Sequence, residues 1–261
     1  MNFRGVATPL SETGASATAH SFGVGLAEVW TLLHIAGRSC GYLASRRPEV
    51  VFCRRTFRCE TAGVYDTQHP ELSHPDDGDD DTPSESQYQR LERAVLLDRV
   101  AALRSGAWGI GQVLGLHAES LGYADVEDMV GKMLESEEEQ LRCILTFAAV
   151  NGLLEPLKNH DWARLAERFV EPSRRPEHRD ETLRAGFALL VAQGLPDFSV
   201  RVAQVRLMFL GFGPGPIDGV LGEDTTYAIG RFQVSVALPV TGRLDPETVA
   251  RLASEVESLP A

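Results

Sequence analysis

A run of aspartates is the densest cluster of possible metal ligands in the sequence. Residues 76–81 read DDGDDD and lie in a segment, 66–87, that is rich in Pro, Asp and Ser and is typical of a loop. A calcium loop of the EF-hand type needs acidic ligands at alternating positions and a closing Glu, and this run has neither. We therefore expect a solvated acidic loop, with no metal site and no cofactor.

The four cysteines, Cys40, Cys53, Cys59 and Cys143, are candidates for zinc binding or disulfide formation. They form no C-x-x-C pair and show no regular spacing with His, which zinc sites and disulfide frameworks usually do. Reduced thiols, as in a cytoplasmic protein, are the simpler interpretation.

The stretch WTLLHIAGRSCGYL, residues 30–43, is typical of an amphipathic helix that runs into a small-residue turn, yet it contains no Asp or Glu. Leu26, Val29 and Leu33 recur at helical spacing, and Ala36 continues the same face. A carboxyl group at that point could act as a general acid, whereas the methyl group of Ala36 has no proton to give.

Composition and charge narrow the classes of partner. The 261 residues are 43% hydrophobic and 24% charged, which is typical of a globular protein. This length is enough for domains of about 150 and 60 residues. The formal net charge of −12 opposes approach to nucleic acid and to anionic lipid, so we expect neither partner.

The first residues do not resemble a targeting segment. Residues 1–22 carry one Arg and then mainly Ser, Thr, Ala and Gly, which predicts neither a secretory signal nor an anchor. No stretch approaches about 18 consecutive apolar residues, so we expect no membrane insertion. We predict a flexible lead-in over 1–22 and a protein that is cytoplasmic as synthesised, acting outside the cell only if released or delivered.

Helical patterns dominate the rest of the chain, and alternating strand patterns are almost absent. Asp161 and Asp180 stand at expected N-cap positions, and Gly152 and Gly194 stand where helices would end. We predict a mainly α fold, with a helical domain over 23–193 and a second, small domain over 196–256.

The stretch VRLMFLGFGPGPIDGVLGEDTTYAIGRFQVSVALPVTGRLDPETVARL, residues 205–252, resembles the three-helix peptidoglycan-binding domain of many cell-wall hydrolases. The matching positions include Asp218, Gly219, Gly222, Thr225, Phe232 and Gln233. Asp218 and Gly219 predict a tight turn, and Thr225 and Phe232 share a helix face, so most of these residues are explained by holding a small fold together. It is the resemblance that implies binding to wall peptide or glycan.

Three segments of the larger domain also carry a resemblance: YDTQHPELS (65–73), QYQRLERAVLLDRVAALRSGAWGIGQVLG (87–115) and GYADVEDMVGKMLESEEEQL (122–141). They resemble the N-acetylmuramidase domain of phage endolysins, which implies a lysozyme-like helical fold over about 22–192.

Within SGAWGIGQ, residues 105–112, the resemblance implies a glycan groove. Substrate contacts are then expected at Ser105, Gly106, Trp108, Gly109 and Gln112. Glycines let a sugar ring approach the backbone, and the Gln112 amide could bind an N-acetyl group. The alternative is that Gly106, Gly109 and Gly111 let a helix start pack tightly on its neighbour.

The polar groups of the family are replaced at three places. The resemblance puts Ala36 at the position of the family's catalytic glutamate, Cys53 and Arg55 at the Glu and His of a second motif, and Val170 at the Asn of a third. Glycoside hydrolysis needs a general acid, which contributes roughly 10²- to 10⁴-fold to the rate. We therefore predict that hydrolytic activity is lost.

Three functions remain open. The first is a peptidoglycan-binding protein with a degenerate muramidase domain. The second is an active endolysin-type muramidase with a relocated acid, for which Glu60 and Glu171 are the candidates, although no spacing argument places either at the scissile bond. The third is an interaction or regulatory protein that reuses the fold, for example to bind a related endolysin.

Overall fold

The computed structural model describes residues 3–35, 40–76, 84–168 and 179–260. Within these ranges the chain is mainly helical, with one small antiparallel sheet. A large helical domain precedes a small domain of three helices, so the predicted fold class is confirmed.

The large domain contains ten helices in its described part. They are α1 (Glu12–Phe22), α2 (Leu26–Ile35), α3 (Arg54–Glu60), α4 (Ser84–Leu97), α5 (Arg99–Arg104), α6 (Val126–Glu135), α7 (Glu137–Val150), α8 (Leu154–Lys158), α9 (Trp162–Arg168) and α10 (Arg179–Gln193). Three short strands form the sheet: β1 (Val50–Phe52), β2 (Gly106–Trp108) and β3 (Val113–Leu114). Two 3₁₀ turns, Gly115–His117 and Glu119–Leu121, follow β3.

Helix α7 lies in the centre of the large domain. Leu141, Ile144, Leu145 and Ala148 are buried, and their spacing produces one apolar helix face. Ser136 caps the helix, because its side chain accepts a hydrogen bond from the Glu139 amide at 3.2 Å. This helix supports both the sheet and the contact with the small domain.

The predicted flexible lead-in is wrong for residues 3–22, which are packed on the large domain. Ser11 caps α1, and Phe3 is 1% exposed with its ring 5.7 Å from that of Tyr88. Helix α1 presents the small buried residues Ala15 and Ala19 to its neighbours. Such a face has little apolar periodicity to detect in the sequence, although it packs closely.

The predicted helix ends at Gly152 and Gly194 and the predicted N-cap at Asp161 are confirmed, whereas Asp180 lies inside α10 and is not its N-cap residue. Gly152 and Gly194 follow α7 and α10 with φ of 67° and 90°, a backbone conformation that favours glycine. Asp161 accepts a hydrogen bond from the Arg164 amide at 3.2 Å at the start of α9. Asp180 lies in the first turn of α10.

The small domain consists of α11 (Phe198–Phe209), α12 (Glu223–Ser235) and α13 (Pro246–Glu257). Asp197 caps α11 by accepting a hydrogen bond from the Ser199 amide at 2.7 Å. Its own core contains Leu207, Ala228, Phe232 and Leu252.

The small domain is packed on the large one through a buried ion pair. The Arg201 guanidinium of α11 donates to both carboxylate oxygens of Glu137 at 2.6 and 2.8 Å, and both side chains are fully buried. The amides of Leu10 and Gly41 donate to the same carboxylate at 2.7 and 2.9 Å. Four donors thus satisfy the Glu137 carboxylate at the domain interface.

Apolar residues of both domains meet around this ion pair. Tyr42 and Ala7 of the large domain share a buried cluster with Val205, Phe209 and Val256 of the small domain. The docked position of α11 therefore depends on both apolar packing and the ion pair.

Candidate functional site

The two faces of the sheet have different surroundings. Val50, Phe52, Trp108 and Val113 belong to the main core. The pairing Val51↔Ala107↔Leu114 places a second row on the opposite face, since directly opposed residues of antiparallel strands point the same way. This second row includes Ala107, which lies within the segment expected to form the glycan groove.

The chain that follows α2 returns to the start of this sheet. The Glu49 amide donates to the Gly41 carbonyl at 2.8 Å, and the Gly109 amide donates to the Glu49 carbonyl at 2.8 Å. Ala36, which the resemblance places at the family's catalytic glutamate, lies outside the described residues. Helix α2 ends at Ile35, and Gly41 pairs with Glu49 directly before β1.

Glu49 is a carboxyl-bearing residue that sequence reasoning missed. It is half-buried and directly precedes β1, in register with the glycine-rich segment after β2. Alternation along the strand puts it on the same side as Val51 and Cys53. The only sequence signal was an acid next to a buried strand, which is too common to be informative.

Cys53, which the resemblance places at the Glu of the family's second motif, begins a helix. Its thiol sulfur accepts a hydrogen bond from the Thr56 amide at 3.3 Å and lies 2.8 Å from Thr56 Oγ1. The Cys53 amide donates to the Ser105 carbonyl at 2.9 Å, and the residue is 7% exposed. Cys53 is thus the N-cap of α3, and Arg55 lies exposed in the first turn of that helix.

Ser105 and Trp108 have internal partners. Ser105 Oγ donates to the Ala101 carbonyl at 2.6 Å, and the Trp108 indole donates to the Leu103 carbonyl at 3.1 Å. Both residues are at most 1% exposed. In this conformation neither side chain offers a surface to a sugar, and this finding corrects the expected substrate contacts at these two positions.

The glycines of residues 105–112 face protein atoms. A Cβ at Gly106 would lie 2.7 Å from the Trp108 indole, one at Gly109 would lie 2.7 Å from the Gln140 side chain, and one at Gly111 would lie 2.7 Å from Ile144. These distances support the tight-packing alternative for Gly106 and Gly109. Close approach of a sugar is not needed to explain them.

Gln140 organises this segment and was missed in the sequence. Its Oε1 accepts a hydrogen bond from the Ile110 amide at 2.9 Å, and its Nε2 donates to the Met133 carbonyl at 3.0 Å and to the Gly41 carbonyl at 3.4 Å. Gly41 and Gly109 both leave room for this side chain. One buried amide therefore links α7, the turn after α2 and the glycine-rich segment.

The side-chain oxygen of Gln112 accepts no hydrogen bond from the residues that the structure describes. Gln112 has φ of 49°, and its Nε2 donates to the Gly109 carbonyl at 2.8 Å. Its Oε1 is buried and has no hydrogen-bond partner. Since a buried acceptor without a donor is costly, this atom is the one position in 105–112 that is suited to an N–H or O–H group of a ligand.

The two proposed substitute acids are placed differently. Glu60, at the end of α3, accepts a hydrogen bond from Arg104 Nε at 2.6 Å, and Arg104 also pairs with Glu119 at 2.8 Å. Glu60 therefore lies at the end of α3 away from Cys53, beside Arg104, which precedes β2 by two residues. Glu171 and Val170 lie outside the described residues, as do residues 77–81 of the acidic loop.

In the small domain, two buried glutamines form hydrogen bonds with the backbone of the loops before α12 and before α13. Gln204 donates to Asp218 and Thr225 at 3.0 and 3.1 Å, and its Oε1 accepts from the amides of Asp218 and Gly219 at 3.1 and 2.9 Å. Gln233 donates to Thr248 and accepts from the Gly242 amide, both at 2.9 Å. Gln204 was not identified from the sequence.

The expected wall-binding residues therefore have mainly structural roles. Thr225, Phe232 and Gln233 are at most 2% exposed, and Gly222 is the N-cap residue of α12. The exposed side of α12 instead carries Tyr227 and Val234, which are 71% and 64% exposed.

Two kinds of site are absent from the described residues. No group of His, Cys, Asp and Glu side chains there is arranged to hold a metal ion. None of the helices in the described ranges is long and apolar enough to cross a membrane.

Comparisons with known proteins agree with this geometry. A sequence model described as N-acetylmuramidase matches residues 25–190, and one described as "Putative peptidoglycan binding domain" matches residues 199–252. The crystal structure of the Burkholderia AP3 phage endolysin is similar, with a TM-score of 0.65 and 26% identity over 71% of this chain and 72% of that chain. No curated protein sequence matches this chain. Since the first match covers more than half of the chain, the protein belongs to the N-acetylmuramidase family and carries a peptidoglycan-binding domain after its muramidase domain.

Proposed function

We propose that this protein binds bacterial peptidoglycan and that its muramidase domain does not cleave it. The observation that carries the proposal is the environment of Cys53. A buried thiol that caps α3 stands where the family's second motif has a carboxylate. Cleavage of a glycosidic bond uses a pair of carboxyl groups on either side of that bond.

The sequence supports the same conclusion at the first acid. Ala36 cannot donate a proton, and the remaining family position in a described segment, Arg55, is an exposed cation. Glu60 is engaged by Arg104 at the far end of α3. With Ala36 and Cys53 at these two positions, the domain lacks both the general acid and the second carboxyl group. The fold that surrounds the two positions is retained.

The exposed side of α12 supports wall binding. Tyr227, Val234 and Val240 are each more than 60% exposed, and a Cβ at Gly230 would lie 3.7 Å from the Val240 side chain, so the loop and the helix form one continuous surface. An aromatic ring beside small apolar groups can stack on the apolar face of a sugar. Helices α11 and α13, by contrast, contact the large domain through Val205, Phe209 and Val256.

The test measures binding and cleavage on the same material. Full-length protein is mixed with purified insoluble peptidoglycan, and both the pelleted protein and the newly released reducing ends are measured. The full chain is used because Arg201 needs Glu137 to remain satisfied. We expect sedimentation with the wall and no reducing ends above buffer.

A matched pair of variants locates the binding surface. Tyr227→Ser should reduce sedimentation several-fold, whereas Val249→Ser, on the exposed side of α13, should not. Equal sedimentation of all three proteins would contradict binding through α12, and no sedimentation of the unmodified chain would contradict wall binding altogether.

One observation favours a second function, active hydrolysis with a relocated acid. Glu49 directly precedes the edge strand β1, and its amide donates to the carbonyl of Gly41, five residues after Ala36 in the chain. If the unmodified protein releases reducing ends and Glu49→Gln abolishes the release while Glu60→Gln does not, the domain is a muramidase that uses Glu49.

A further inference from the structure

A cleft of about 310 Å³ lies between the two domains, away from the sheet. One wall is the segment 5–9, and the other walls come from Arg46, from Arg206 of α11 and from the last turn of α13. Clefts between domains are common positions for small-ligand sites, because neither domain alone fills them.

Arg206 is the cation in this cleft that lacks an acceptor. Its side chain is half-buried and forms no hydrogen bond or ion pair with any other residue in the described ranges. Burial lowers the pKa of Arg206 below its usual value, and the negative charge of Glu257 opposes this shift only in part. The Arg206 nitrogens are not among the buried atoms without a partner, so they remain accessible and their N–H groups can donate to an anion that enters the cleft.

Arg46 makes the opposite wall rigid. Its φ is 62°, in the left-handed region that residues with a side chain rarely adopt. The guanidinium donates to the carbonyls of Val256 and Pro260 at 3.4 and 3.0 Å, so it fixes the end of α13 against the large domain. The cleft is therefore held open by protein contacts before any ligand binds.

We propose that this cleft binds the free carboxylate of a short peptide with small apolar side chains. The fork of the Arg206 guanidinium matches the two oxygens of a carboxylate. Val6, Pro9 and Leu259 provide apolar walls that suit alanine-sized side chains. Peptidoglycan contains such peptides, so this inference rests on the proposed function and adds a second contact with the wall.

The probe is acetyl-D-alanyl-D-alanine, titrated into the full-length protein by calorimetry, with the C-terminal amide of the same peptide as a control. We expect the acid to bind about tenfold or more tightly than the amide, because a hydrogen bond to a charged group is lost in the amide. Inorganic phosphate at the same concentration tests whether any small anion is sufficient, and we expect it to bind more weakly.

Three variants test the role of Arg206. Arg206→Gln should weaken binding of the acid about tenfold or more, and Arg251→Gln, an exposed cation on α13, should leave it unchanged. Glu257→Gln should tighten binding, since it removes a competing negative charge beside the cleft. Because Glu257→Gln is expected to improve binding, a general loss of folding cannot produce the predicted set of results.

Several results would overturn the inference. They are equal binding of acid and amide, phosphate binding as tight as that of the acid, or an Arg206→Gln variant that binds like the unmodified chain. If the intact wall still sediments the protein in those cases, only the cleft proposal fails. If the wall does not sediment it but the dipeptide binds through Arg206, the proposed function fails and the carboxylate site stands.

Discussion

The buried ion pair at the domain interface is expected to control the stability of the whole chain. Arg201→Met would leave the Glu137 carboxylate fully buried, with the amides of Leu10 and Gly41 still donating to it. Breaking a buried pair by removing one partner costs about 3–5 kcal/mol. We expect about 3 kcal/mol here, because two donors remain, and this is a large part of a typical total stability.

The assay is urea unfolding followed by far-UV circular dichroism. Arg251→Met, which removes an exposed pair with Glu255, is the control and should change the free energy of unfolding by at most about 0.5 kcal/mol. The double variant Glu137→Gln/Arg201→Met should cost less than the sum of the single variants, with an interaction energy of about 2 kcal/mol, since it leaves no unpaired charge.

The pH dependence gives an independent check. Burial alone would raise the pKa of Glu137, but the Arg201 charge and the four hydrogen bonds outweigh burial and lower it. A carboxyl group with a lowered pKa in the folded state contributes stability above its unfolded pKa and loses it as pH falls through the folded pKa. In Arg201→Met burial prevails and the pKa of Glu137 rises, so the stability gap between the two proteins should narrow from pH 7 to pH 5.

The ion pair does not control stability if Arg201→Met lowers the free energy of unfolding by less than about 1 kcal/mol. The same conclusion follows if the difference in stability between the two proteins grows as the pH falls. Either result would mean that water reaches Glu137 at the interface or that the domains separate without loss of stability. Strict additivity of the single variants would show that the two side chains do not interact.

Three further outcomes are expected. Gln204→Leu should destabilise the small domain by about 2 kcal/mol or more, measured by thermal unfolding, because the amides of the turn lose their acceptor; an unchanged melting temperature would contradict the role of this side chain. Ala36→Glu alone should release few reducing ends, and adding Cys53→Glu, Arg55→His and Val170→Asn should increase the release; full activity of the single variant would show that the acid was the only loss. Sedimentation with peptidoglycan should fall little as ionic strength rises, since an acidic protein gains no attraction from an anionic wall; a steep loss would indicate that a local basic surface carries the binding.

Local patterns were sufficient to predict the main elements. Helical periodicity located most helices of the large domain, and glycines with positive φ ended α7 and α10 where predicted. Helix α1 was missed because its buried residues are small, so its contacts depend on shape and not on apolar contrast. The sheet was also missed, because strands of two or three residues are too short to show alternation.

The sequence by itself determined the order of the two domains and showed that residues 76–81 lack the ligand pattern of a calcium loop, and its resemblance to the family predicts that Ala36 and Cys53 replace acids. Only the tertiary structure decided what each predicted site residue faces. Gly109 has the same identity whether a sugar or Gln140 lies against it, and these two residues are 31 positions apart in the chain. Glu137 stands in a run of glutamates that resembles a solvated helix start, yet it is buried, because Arg201, 64 residues later, reaches it across the domain interface. Such contacts depend on which distant segments pack together, and a pattern with a period of a few residues carries no information about that choice.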